Sequence, residues 1–370
     1  MSSTYSYGLL RPLMIFGFVC LAIAGIEGLL RGLGIVAIGL EIHWAPAIYG
    51  FFLVLAVLDL LFFLPLEAGA RFGRSFVAPL LAAFSATIIS IYLRFYIESI
   101  VITSLILILS TAYSVREVYR RAGSEVMAHL YGYIMAIPIA LTSTILWLFD
   151  NRSRAGFETS SIPYILLAIT PYMAKMASME PKTYPLVFIS PLAVLSAFIA
   201  SYRRYEEIGG TLLAVSSLTL AIGSMLGSRG PRGCLSIVSK IYFLASNIFL
   251  LSGGLILSIY GFQALDAYIH LIDIGHGLSS IYIMEIITTG IRLTGIPSRS
   301  SEEWGARCVL RLASPLLPLT LGTILRIFWA WYRREHIIAG SFALILISIA
   351  PHFYQHYSYR LRSLRGSGHG

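Results

Sequence analysis

The chain has 370 residues, of which 57% are hydrophobic and only 12% charged, and its net charge is +9. A soluble domain carries about 25% charged residues, so this composition argues against a soluble enzyme and for apolar runs sized to a hydrocarbon core of about 30 Å. The positive charge does not point to nucleic acid, because Lys and Arg sit in the short connections between the runs, where they set membrane orientation.

In chain order, the predicted spans cover residues 9–30, 43–66, 76–93, 96–114, 126–149, 160–178, 184–201, 208–227, 235–262, 268–292, 308–330 and 336–357. They are rich in Leu, Ile, Ala and Gly and too long for barrel strands, so they read as helices that satisfy their own backbone hydrogen bonds. The expected fold class is therefore all-α, a polytopic bundle of about twelve transmembrane helices. One domain covers 1–359, and a basic tail at 360–370 is expected to be disordered and cytoplasmic. The first run lacks the basic region, short apolar core and small-residue cleavage site of a signal peptide, so it is expected to be a retained span. Cys20, Cys234 and Cys308 stand singly with no Cys-x-x-Cys pair, so neither a disulfide framework nor a thiolate metal site is expected.

With twelve spans, eighteen Lys and Arg fall on the side of the N-terminus and nine on the other. Both termini are then expected in the cytoplasm. The histidines sort by depth in the same frame. His43 opens the second span, His270 and His276 the tenth and His336 the twelfth, so all four lie toward the outer face. His129, His352 and His356 lie toward the cytoplasm. His352 and His356, at i and i+4, share a helix face and could chelate copper or zinc.

The tenth span carries the richest local signal, His270-Leu271-Ile272-Asp273-Ile274-Gly275-His276-Gly277. Six positions at about 100° each send the two imidazoles to different sides, about 9 Å apart along the axis. They suit two centres better than one ion. Asp273, three residues from each, could orient an imidazole, and Gly275 and Gly277 would let a flat macrocycle approach. Neutral imidazole is the usual axial ligand of a b-type heme, which makes His43, His270, His276 and His336 the candidate ligands. Asp59 in the second span and Glu285 in the tenth are costly intramembrane acids, and such groups are often functional; one of them is expected to be protonated or hydrogen-bonded in the bundle interior, either on a proton path toward the metal centre or in structural packing with a Ser or Tyr. Phosphate loops, nucleophile elbows and the His-Glu-x-x-His zinc motif are absent.

Three patches resemble the NnrS family of heme- and copper-containing membrane proteins. The first is His43-Trp44-Ala45-Pro46-Ala47-Ile48-Tyr49-Gly50, with Pro65 and Gly69 at its end. The second runs from His276 to Arg292 with Gly295 and Arg299, and the third from His336 through Gly340 to Pro351. Where the family has a second His and an acidic residue after the first, this chain has Ala45 and Pro46. Nothing matches the His-Pro-Glu copper motif of the more distantly similar heme-copper oxidase subunit. The resemblance implies heme b, with copper as a further metal, and a part in nitric oxide or nitrosative-stress metabolism, possible as oxidoreductase turnover. Its partners would be the bilayer, a small diatomic such as nitric oxide and an electron donor. Two other classes fit the residues: a proton- or ion-coupled transporter using Asp59 and Glu285, and a membrane anchor subunit of a respiratory complex.

Overall fold

The computed structural model describes residues 7–35, 45–63, 65, 74–121, 134, 184–227, 233–283 and 306–366. Among them every regular element is a helix. α1 is Tyr7–Gly32, α2 covers 46–63, α3 is Val77–Tyr92 and α4 is Tyr96–Arg121. After the undescribed stretch come α5 (Tyr184–Tyr202), α6 (Glu206–Gly227), α7 (Gly233–Tyr260) and α8 (265–283). The short α9 (Ala306–Ala313) leads into α10 (Leu316–Tyr332) and α11 (Glu335–Gly366). Four stretches are long and apolar enough to cross a membrane: Pro12–Gly32, Tyr96–Arg121, Glu206–Ser224 and Ser236–Ile283. Shorter apolar helices accompany them. The spans predicted over 126–149 and 160–178 fall, apart from residue 134, outside the described residues. α11 stays helical to Gly366, through most of the tail expected to be disordered, because no Gly or Pro interrupts it between Pro351 and Gly366.

Five of the described helices end in tight turns, and their chemistry repeats. α1 ends with Gly34 at φ +70° and α7 with Gly261 at φ +57°. Three others place an arginine in the left-handed region: Arg94 (φ 63°), Arg204 (φ 66°) and Arg333 (φ 51°). After α3, Arg94 N–H donates to Ile91 O at 3.0 Å and Phe95 N–H to Ser90 O at 2.7 Å. After α5 the same pair recurs as Arg204 to Ser201 O and Tyr205 to Ala200 O, at 3.0 and 2.9 Å. These are the two bonds of the Schellman motif, which satisfy carbonyls a helix end would leave bare.

The turns at Gly34, Arg204, Gly261 and Arg333 lie on one face. Along α1, a Cβ on Gly25 would meet Leu346 Cδ2 at 2.6 Å, one on Gly28 the Phe342 ring, and one on Gly32 Ala339 N at 2.7 Å. α1 and α11 therefore run antiparallel, with the α1 and α10–α11 turns together. Tyr260 packs edge-on against Trp331 at 5.5 Å, and Phe262 N–H reaches Glu206 Oε2 at 3.4 Å. These contacts bring the turns at Gly261, Arg333 and Arg204 to the same end. Small residues allow the close approaches: a Cβ on Gly254 would meet Gly210 O at 2.7 Å, the small-residue helix seam common in membranes.

Two helices are interior. Every side chain from Ala45 to Phe62 except Ala47 is buried, as is every one from Gly275 to Ile283. A helix apolar around its whole circumference has no lipid- or water-facing side. α1, α3 and α4 shield α2, while α7 and α10 flank α8. The outer helices expose large aliphatic residues such as Ile15, Leu109, Ile199, Ile248 and Leu317, a surface water would not tolerate over this extent.

Cys234, at the start of α7, is disulfide-bonded, which corrects the expectation of single thiols, while Cys20 is free and buried. Sequence spacing missed this pair because helices distant in sequence can meet in the bundle.

Candidate functional site at the histidine-bearing helix

α8 is not a regular α-helix. After an α-helical start at Leu265–Ile269, it is a π-helix over His270–Leu278. α2 has two such segments, Pro46–Phe52 and Asp59–Phe63, around the α-helical Leu53–Leu58. π geometry is rare and concentrates at functional sites. The two interior helices are thus the ones with π segments among the described residues, and both carry intramembrane acids.

His276 is fully buried. Its Nδ1 lies 2.7 Å from Ser246 Oγ and 3.1 Å from Ser246 O on α7. A carbonyl can only accept, so Nδ1 carries the hydrogen and, in the neutral ring, Nε2 the lone pair. Ser246 is itself held at 2.9 Å by Ser280 Oγ and donates to His276 O at 3.3 Å. His270 is anchored the same way: Nδ1–H donates to Asp266 O at 2.8 Å. Its ring stands edge-on to Phe342 of α11, 6.4 Å between centroids. The two imidazoles engage different neighbours, α7 for His276 and the α10–α11 side for His270.

Asp273 does not orient either imidazole. It is buried, and its Oδ1 has no hydrogen-bond partner. The orienting acceptors are instead main-chain carbonyls, those of Asp266 and Ser246. Gly275 does not leave an open face, because a Cβ there would meet Phe249 Cγ at 2.5 Å; the missing side chain admits Phe249 of α7.

Asp266 also meets Arg326 of α10, Nη2 to Oδ1 at 2.8 Å. Arg326 is 5% exposed. Its guanidinium stacks 4.5 Å from the Trp329 centroid and 5.0 Å from that of Phe342. Asp266, His270, Phe342 and Arg326 form one continuous cluster about two turns below the Arg333 corner. Reasoning from sequence counted Arg326 only as a topology charge; its place inside the apolar run 316–332 was the available signal.

Of the other candidates, Asp59 is buried at the start of the second π segment of α2. His336 is exposed at the start of α11 and is not brought to His270 or His276. His43, His129 and Glu285 lie outside the described residues, as do the side chains of His352 and His356. Among the described residues, no group of three or more His, Cys, Asp or Glu side chains gathers around one point.

No protein-family model, curated protein or solved structure matches the chain.

Proposed function

We propose that the protein is a cell-membrane bundle of twelve spans that binds heme b and acts on or senses a small diatomic such as nitric oxide. The reading is carried by one observation: two imidazoles on the interior helix α8, His276 buried and His270 half-buried, each have Nδ1 tied to a main-chain carbonyl. Ligating histidines are held in this way, with the far nitrogen donating to an acceptor so that the near one presents its lone pair. The family resemblance at His43, His276 and His336 points the same way. His270 and His276 serve different centres because they face different helices, and His276, held deeper, belongs to the reactive one. Bound at these residues, the heme would supply an iron that takes up the diatomic ligand. Copper is the further metal the resemblance implies, and an electron donor completes the partners. In the proposed topology both termini are cytoplasmic.

The test is the absorption spectrum of the purified protein. A sharp Soret band that shifts on reduction is expected, with His270→Ala and His276→Ala losing different components and carbon monoxide binding failing mainly in His276→Ala. Colourless protein that also fails to take up added hemin would reject the reading.

A second reading, a proton- or ion-coupled transporter, is favoured by Asp59 and Asp273. Both are buried on π segments of the two interior helices. A carboxylate there is costly to keep charged without a cation or proton. Proton uptake by liposomes containing the colourless protein, lost in Asp59→Asn or Asp273→Asn, would establish this reading.

A further inference from the structure

Arg326 is buried with only part of its donor set used. Nη2 meets Asp266, but Nε and Nη1 are buried and have no hydrogen-bond partner. The guanidinium lies against the Trp329 and Phe342 rings, and its unused N–H hydrogens point outward in its own plane, at its edge. An unmet buried donor of this kind is costly, and more so on a charged group. Arg31, in the last turn of α1, and Arg333, at the α10–α11 corner, add positive potential. Asp266 is the acid bonded to Arg326, and its Oδ2 is also buried without a partner, so unmet donors outnumber unmet acceptors in the cluster.

We propose that Arg326 is an anion-binding residue whose unmet Nη1 edge receives a carboxylate in the bundle interior, beside His270. Nη1 lies on the edge away from Nε–H, so the carboxylate meets Nη1 in the plane of the guanidinium through charge-assisted hydrogen bonds. Asp266 divides its work: one oxygen holds Arg326 in the plane, while its main-chain carbonyl fixes the His270 ring. The histidine and the anion site thus share one residue, Asp266. The carboxylate has two possible sources, a side arm of a porphyrin held at His270 or a free small carboxylate. The first rests on the heme reading; the second does not.

The full-length protein in detergent distinguishes them with three probes: hemin, hemin dimethyl ester and acetate. Binding is followed by quenching of tryptophan fluorescence and by thermal unfolding. Hemin should bind roughly ten- to a hundredfold more tightly than its ester. Arg326→Gln should remove that difference while leaving ester binding unchanged. Arg326→Lys, which keeps the charge and so guards against misfolding, should restore only part of it. If neither porphyrin binds but acetate raises the unfolding temperature of the wild type and not of Arg326→Gln, the anion site stands and the heme reading fails. Equal binding of hemin and ester, or no response to any probe that depends on Arg326, overturns the proposal.

Discussion

Ser246 shows how one small side chain governs a ring 30 residues away in sequence. It touches His276 Nδ1 through its hydroxyl and its carbonyl, and Ser280 braces it from α8. Ser246→Ala deletes the hydroxyl but keeps the carbonyl, so the imidazole retains its tautomer and loses one restraint. We expect about 1 kcal/mol less stability, read as a lower thermal midpoint, together with a broadened His276-dependent spectral component. An unchanged spectrum and midpoint would mean that the carbonyl alone holds the ring. The histidines, the aspartates and their spacing were legible as residues. Ser246 was not, because a serine in an apolar run carries no mark of which helix it will face.

The turns and seams are properties of elements. Gly34 and Gly261 occupy left-handed positions freely, whereas Arg94, Arg204 and Arg333 adopt them at a cost of about 1–2 kcal/mol each. Arg204→Gly should therefore raise the unfolding temperature in detergent, while Arg204→Ala should not; a fall with Gly would show that the side chain at the corner contributes more than the backbone strain. The α1–α11 seam responds in the opposite sense. A Cβ on Gly28 overlaps the Phe342 ring, and Phe342 also contacts Arg326 and His270. Gly28→Val should destabilise the bundle by about 1–3 kcal/mol and also disturb the His270 component. A loss of stability with an intact His270 spectrum would uncouple the seam from the site. Sequence periodicity located these helices within a few residues, yet it could not show that α2 and α8 depart from α geometry, since π segments have no periodicity of their own at this length.

At the scale of the whole molecule, two signals about orientation oppose one another. In the proposed twelve-span topology, the eighteen-to-nine excess of Lys and Arg would put the face opposite the turns in the cytoplasm. Cys234 opens α7 on that same face and is disulfide-bonded, and cytosolic disulfides are rare outside hyperthermophilic organisms. A reporter active only in the cytoplasm, fused after Tyr359, should be active if the charge rule governs; silence there would place the disulfide outside and invert the bundle. The disulfide has its own check. Of three cysteines in the chain, the denatured, unreduced protein should take up a single maleimide, on Cys20, and all three only after reduction. Three adducts without reductant would remove the disulfide.

Composition and run length determined, without any structure, that the chain is helical and apolar enough to enter a membrane, because bilayer thickness and backbone hydrogen bonding act on each segment separately. The same local rules located the tight turn at Arg94, but the α-helical phase and spacing expected between His270 and His276 do not apply, because His270–Leu278 is a π-helix. Which atoms hold those rings, why Asp273 touches neither of them, and how Arg326 comes to share Asp266 with His270 were decided only by the packing of α7, α8, α10 and α11. Contacts between helices separated by 30 to 60 residues depend on crossing geometry and on which glycines let two backbones approach, and no segment carries that information alone.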